Sequence, residues 1–250
     1  MPTDICRQFM LETQLRRQRP NEEEQGLPQP PLELPYDASR PCIVLPRPET
    51  IHIPPADLRA TIEGRRTVRA YAAQPLALDE LSWLLWATQG VQRVISRPST
   101  VRAVPSAGGR HAFETLVLAN RVAGVAPGLY RFAAGEHKLV EQDMAPDIAR
   151  RVAAAAREQD FVAESAAAFI WVAVLGRMHW RYGDRGYRYL FLDAGHVCQN
   201  LYLAAEAIGC GACAVGAFHD DLLNGLLGLD GEEQFVAYMG TVGKKKAHTD

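Results

Sequence analysis

The chain has 250 residues, 48% apolar and 22% charged, a globular composition with enough apolar surface for a sizeable core. Its net charge of −2 and pI near 6.4 exclude the strong basic excess of a protein that grips nucleic acid through phosphates. The longest apolar run, residues 166–176, is far shorter than the roughly 20 residues of a membrane-spanning helix, so no membrane partner is expected either.

Residues 1–19 suit a short polar helix. Asp4 and Glu12 interrupt them and no apolar core is present, which argues against a targeting segment. Residues 20–55 hold ten of the sixteen prolines. Proline fixes φ and removes a donor, so this segment reads as an extended arm or a disordered linker. Leu32, Leu34, Tyr36, Ile43, Val44 and Leu45 favour an arm with buried contacts. The chain thus divides into an N-terminal extension, 1–55, and a folded domain, 56–250, beginning near Pro55.

"PPADLRATIEGR" suits a short helix with proline in its first turn. "LDELSWLLWATQGV" places Leu81, Leu84, Leu85 and Thr88 at helical spacing, with acids first and Gly90 at the stop. Strands are predicted over 114–119, 128–132 and 138–141, and a helix over 146–158. Residues 168–175, "AFIWVAVL", read as a fully buried central strand. Val197, Leu201, Ala204 or Ala205, and Ile208 repeat at helical intervals, predicting a long buried helix that ends at Gly209. A strand at 212–217, a short helix at 220–227 and a strand at 234–242 complete the chain. Helices and strands mix without a βαβ rhythm, so the fold class is α+β.

Three clusters could carry chemistry. "GRRTVR", residues 64–69, sets Arg65, Arg66 and Arg69 around the Thr67 hydroxyl. Guanidinium forks suit a phosphate or an electron-rich ring edge; the alternative is a solvated basic turn. "PSAGGRH" lets a backbone approach a ligand closely at Gly108 and Gly109, or is an ordinary loop. "GCGACAVGAF", residues 209–218, crowds small residues into one strand, which implies a close neighbour that is flat or bulky. It is not the dinucleotide fingerprint. Cys210 and Cys213 form a C-x-x-C, a conceivable redox pair, but in a strand-like segment and not at a helix N-terminus, where a thiolate is stabilised. The five cysteines are odd in number and irregularly spaced, which reads as reduced thiols in a cytoplasmic protein. No histidine lies at metal-ligand spacing, and His196 reads as a satisfied structural histidine. In "HWRYGDRGYRYLFLDAGH", residues 179–196, the residues Arg185, Tyr187, Arg188 and Tyr189 suit a hydrogen-bonded, stacked layer leading into the long helix.

Taken in order, "RRTVRAY", "LSWLLWATQGV", "PSAGGRHAFE", "PGLYRF", "YGDRGYRYLFLDAGHVCQNLYLAAEAIG" and "GACAVGAF…LLNGLLGL" resemble the nitroreductase superfamily, in its SagB/ThcOx-type dehydrogenase branch. The resemblance covers roughly residues 60–243. It implies an α+β, nitroreductase-like fold: a central, mostly antiparallel sheet flanked by helices, with FMN at a homodimer interface. Arg65, Thr67 and Arg69, with Arg66 between them, match the motif that touches the flavin phosphate and pyrimidine. Pro105, Ser106, Ala107 and Gly108 match a loop reaching the flavin from the partner subunit. The strand from Ala212 through Val215 and Gly216 to Ala217 would lie along the isoalloxazine. Lys244 to Lys246, just past the last strand, match the place where the superfamily often sets basic phosphate ligands.

In azoline-oxidising members, a Lys-Tyr pair sits at the substrate face. Here that place reads Arg181-Tyr182. Azoline oxidation removes a proton from one carbon and a hydride from its neighbour, the hydride passing to flavin N5. A guanidinium, with a pKa above ~12, cannot take the proton. Arg181 would instead hold a carboxylate or stabilise an anion while Tyr182 exchanges the proton. The leading expectation is an FMN-dependent oxidation of a small-molecule or peptide-derived substrate, alongside biosynthetic partner enzymes. The second is a nicotinamide-dependent reductase of nitro compounds or quinones on the same FMN. The third is a flavin-holding scaffold subunit.

Overall fold

The computed structural model describes residues 3–95 and 99–246. In chain order the elements are α1 (Asp4–Glu12), β1 (Cys42–Val44), α2 (Leu58–Gly64), α3 (Leu78–Gln89), β2 (Val91–Ile95), β3 (Ser99–Arg102), β4 (Phe113–Ala119), β5 (Gly128–Ala133) and β6 (Lys138–Asp143). There follow α4 (Ile148–Ala155), α5 (Phe161–Glu164), β7 (Ala167–Val174), α6 (Leu175–Tyr182), α7 (Gly186–Ala207), β8 (Cys210–Val215), α8 (Asp220–Leu226) and β9 (Gln234–Lys244).

Seven strands form one sheet in the order β1-β6-β5-β4-β7-β9-β8, every pair antiparallel. β7 lies between β4 and β9 and all eight of its residues are buried, as its unbroken apolar run predicts. Side chains alternate across it. Phe169, Trp171 and Ala173 join Leu81, Leu84 and Leu85 of α3 and Val197 and Leu201 of α7 in one core. Ala168, Ile170 and Val172 join Val152 of α4, Val162 of α5 and Leu223 of α8 in the other. The sheet is thus covered on both faces, and α7 runs through the first core for 22 residues.

Several boundaries differ from the sequence reading. The sheet starts before Pro55, because β1 pairs with β6 from inside the proline-rich segment and Leu45 beside it is buried. A separate hairpin, β2–β3, was not expected. The long helix begins at Gly186, and α6 fills the stretch before it. β8 runs over Cys210–Val215, so Gly216 and Ala217 lie past its end, both exposed. β9 extends through Lys244, which therefore lies in the last strand.

Candidate active site

The arginine turn is attached to the edge of the sheet. Asp57 caps α2 by accepting from the Ala60 amide at 2.7 Å, and the helix ends at Gly64. The chain then leaves extended, and the Val68 amide donates to the Ala212 carbonyl at 2.9 Å. Thr67 pairs with Ala212 in a parallel bridge. A Cβ on Gly211 would fall 2.6–2.9 Å from the Val68 side chain, so part of the small-residue crowding in β8 serves this contact. The Thr67 hydroxyl lies 3.2 Å from the Tyr202 hydroxyl, which accepts from the Ala214 amide at 2.8 Å. Arg65 lies over the Tyr202 ring, 5.2 Å from its centroid, and Arg69 over the Phe161 ring at 6.0 Å. Arg66 turns away and donates to the Glu63 and Arg65 carbonyls at the helix end. Arg65 and Arg69 thus flank Thr67 beside β8, and Arg66 does not join them.

Lys244 is committed elsewhere. Its ammonium bonds Glu80 at the start of α3. Burial opposes its charge, yet Glu80 and Cys210 raise its pKa. Lys245 bonds Glu206 at 2.6 Å, and a Cβ on Gly64 would come within 3.1 Å of that same carboxylate. Lys245 is therefore the lysine linked to the turn.

A second grouping forms around residues 105–111. Gly108 and Gly109 have φ of +56° and +65°, conformations that favour glycine. A Cβ on Gly108 would strike the Tyr182 hydroxyl and lie 2.8 Å from Arg181 Nε. The expected loop and the expected catalytic pair are therefore in contact. Ala107 N–H donates to both Asp193 oxygens, at 3.1 and 3.2 Å. Burial raises the Asp193 pKa, while the Ser106 hydroxyl and the Ala107 amide hold it down. The His111 amide donates to the Ser106 hydroxyl at 2.9 Å. Burial, then the nearby Arg102 charge, pushes the His111 pKa down to about 3, so its ring is neutral. A recess of about 320 Å³ lies between this loop and the β2–β3 hairpin, lined by Ser99, Thr100, Arg102, Ser106 and His111 among others.

The Arg/Tyr stretch forms the end of α6 and the start of α7. Its stacked layer is present: Arg185 Nε donates to the Tyr189 hydroxyl at 2.7 Å, and the Tyr182 and Tyr189 rings meet edge-on at 4.7 Å. Its partner is the N-terminal segment. Arg185 and Arg188 bond the Thr13 carbonyl and hydroxyl, and the Glu23 amide donates to the Trp180 carbonyl at 2.9 Å. Arg181 Nη1 contacts both Glu23 oxygens at 2.9 Å. Burial opposes the Arg181 charge, but Glu23 and the Tyr182 hydroxyl outweigh it and raise the pKa. The guanidinium is thus a cation and not a base.

Asp193, Tyr202 and His111 were not singled out from sequence. The one local signal was Asp193, a carboxylate among the apolar positions of α7. His196 is exposed, 3.9 Å from Asp193, and not the satisfied structural residue its position suggested. Cys210 and Cys213 are buried in β8, and burial pushes the Cys210 thiol up to about 11, well away from a reactive thiolate. Among the described residues no group of three or more His, Cys, Asp or Glu could hold a metal ion, and no helix is long and apolar enough to cross a membrane.

The two groupings sit on opposite sides of α7. Asp193 and Tyr202 are nine residues apart, about 14 Å of rise and about 180° of rotation. One copy therefore presents the loop 105–109 and the turn 64–69 in different directions.

Comparison with known proteins agrees with this architecture. The nitroreductase family model matches residues 62–244. The nitroreductase relative MJ1384 of Methanocaldococcus jannaschii is 35% identical over 181 residues, 72% of this chain and 87% of that protein. A nitroreductase relative from Ralstonia eutropha JMP134, known from a crystal structure, superposes with a TM-score of 0.68 at 28% identity, covering 89% of this chain and 96% of that one. The trifolitoxin-processing protein TfxB of Rhizobium leguminosarum bv. trifolii is 30% identical over 137 residues, 52% of this chain but only 36% of that protein. With its helix-flanked antiparallel sheet and its match across residues 62–244, this chain is an oxidoreductase and belongs to the nitroreductase family.

Proposed function

We propose that the protein is an FMN-dependent oxidoreductase of the SagB/ThcOx type, acting on a peptide-derived or small-molecule substrate. The observation that carries the reading is the convergence of Arg181 and Tyr182 on Gly108. It sets a fixed cation and a phenol against the loop that, by resemblance, reaches the cofactor. The donor set suits the cofactor. Thr67 and Arg69 are exposed beside a narrow strand, with Arg65 half-buried next to them, a pattern that fits a phosphate and the edge of a flat ring. Arg65, Thr67 and Arg69 would hold FMN from one copy, and Pro105, Ser106, Ala107 and Gly108 from the other. When bound, FMN supplies two-electron chemistry by accepting or giving hydride.

The opposed directions of the two groupings support a homodimer, in which each site draws one grouping from each copy. It is supported by exposed apolar side chains: Leu58 and Ile62 on α2, Phe191 and Leu192 on α7, and Val94 and Ile95 on β2. An apolar groove of about 290 Å³ between α2, α3 and α7 adds to that surface. Within the site, Arg181 would orient or stabilise an anionic group, and Tyr182 would exchange a proton at its hydroxyl. The neutral His111 and the polar recess around it would accept the rest of the substrate. The TfxB relative, whose name records processing of trifolitoxin, supports a peptide-modifying role.

A specific observation also favours the second reading, an NAD(P)H-dependent reductase of nitro compounds or quinones. Arg181 remains charged and cannot act as the base of azoline oxidation. Anaerobic reduction separates the two. An azoline peptide that bleaches the flavin supports the dehydrogenase. Bleaching by NADH or NADPH alone supports the reductase, and bleaching by neither supports the flavin-holding scaffold or a substrate of another class.

A further inference from the structure

The proline-rich segment has a fixed root and a shallow tip. At the root, the Leu34 amide donates to Glu114 Oε1 at 2.8 Å. Arg131 donates to the Pro35 carbonyl and Arg177 to the Pro31 carbonyl, each at 2.8 Å. Glu114, Arg131 and Arg177 form a buried ionic cluster beneath these residues. The tip, residues 21–27, reads "NEEEQGL" and folds as a turn on the outside of α6. Glu22 meets His179 at 3.0 Å and Glu23 meets Arg181. Asn21 Nδ2 donates to the Arg181 carbonyl at 2.8 Å, and Trp180 Nε1 donates to the Leu27 carbonyl at 2.9 Å. The turn is closed internally by reciprocal bonds between Asn21 and Glu24. Beside it, toward residues 12–20, lies a recess of about 440 Å³ lined by Gln18, Arg19, Asn21, Glu22, His179 and Asp184 among others. The tip is thus held by half-exposed polar contacts, whereas the root is tied to a buried cluster.

We propose that the Trp180–Arg181 ridge is a binding site for an acidic peptide segment, and that residues 21–27 occupy it as an internal competitor. This rests on reading Arg181 and Tyr182 as the substrate face, and it names the substrate class: a peptide whose carboxylate replaces Glu23. The ridge reads charge at Arg181 and meets the tip otherwise through hydrogen bonds at His179, the Trp180 indole and the Trp180 and Arg181 carbonyls. Such contacts accept any acidic turn of suitable shape. Arg110 lies over the Trp180 ring at 5.4 Å, and Arg185 and Arg188 follow near the start of α7, beside Asp184, which lies 3.7 Å from His179. The Arg181–Glu23 pair keeps 24% and 36% of its side chains exposed, which makes it exchangeable and not a buried lock. Because Arg181 also touches Gly108, a carboxylate taking Glu23's place would be delivered beside the loop 105–109.

The test uses the full chain and a fluorescein-labelled synthetic peptide carrying the sequence of residues 20–27, followed by anisotropy. A tethered competitor acts at roughly millimolar effective concentration and lowers the apparent affinity of an external one. Glu23→Ala should therefore tighten peptide binding about tenfold. Adding Arg181→Gln should abolish that gain, and a peptide with glutamine for glutamate should bind weakly to every variant. Trypsin should cut at Arg16 and Arg17 faster in Glu23→Ala, with unchanged circular dichroism. If Glu23→Ala does not fold, Glu23→Gln carries the same measurements. Unchanged affinity in the Glu23 variants, or equal binding of the glutamine peptide, overturns the proposal. Flavin absorbance, recorded on the same samples, separates the two ideas: peptide binding without flavin refutes the proposed function, and flavin without peptide binding refutes this inference.

Discussion

His111→Asn tests whether the loop at residues 105–111 is sealed as the structure describes it. The native ring has a pKa of about 3 against an ordinary value of 6.5, because burial and then Arg102 disfavour its charge. Between these values the unfolded chain binds a proton that the native chain refuses. Stability therefore rises with pH from 3 to 6.5 and is complete above 6.5. At pH 5 the unfolded histidine is almost wholly protonated, so this residue costs about 2 kcal/mol relative to pH 8. For a chain of this size that corresponds to about 4–8 °C in Tm. Asparagine cannot titrate and tolerates the positive φ of 45° at this position. Thermal melts of both proteins at pH 8 and pH 5 give the answer, since all other histidines cancel in the comparison. The wild type should lose about 2 kcal/mol more than the variant. Parallel losses would mean that His111 is solvated and that the loop is not packed as described.

Gly211→Ala should push the Val68 side chain off β8 at a cost of about 1–3 kcal/mol, and weaken FMN binding through the displaced turn. An unchanged urea midpoint with unchanged FMN affinity would contradict that contact. Glu114→Gln leaves two buried guanidinium groups without their carboxylate and should cost about 3–5 kcal/mol in urea denaturation, with a loosened arm. A loss below about 1 kcal/mol would show that water reaches the cluster. Tyr182→Phe should keep the FMN complex and slow substrate turnover, and full activity would remove Tyr182 from the chemistry.

Elements with long, regular periods were legible in the sequence. α3, β7 and the body of α7 are set by their own apolar spacing, so local reading finds them. β1 was hidden because three residues among prolines become a strand only by pairing with β6, nearly a hundred residues away. α6 was hidden because "LGRMHWRY" is polar, and its polar side faces the N-terminal segment. The site divides along the same line. The arginine turn and the serine–glycine loop carry local motifs. The residues that hold them in place, Tyr202 and Asp193, act across 135 and 86 positions of chain and leave no local pattern. The pairing of Lys244 with Glu80 was likewise hidden, because it joins positions 164 residues apart.

The central claim is that two copies of this chain close around FMN with the turn of one and the loop of the other. Titration of the purified full chain with FMN, with mass followed by light scattering, tests it directly. The account predicts one flavin per chain and a particle of twice the 27.6 kDa chain mass. A monomer that takes up no flavin at saturating FMN would contradict it.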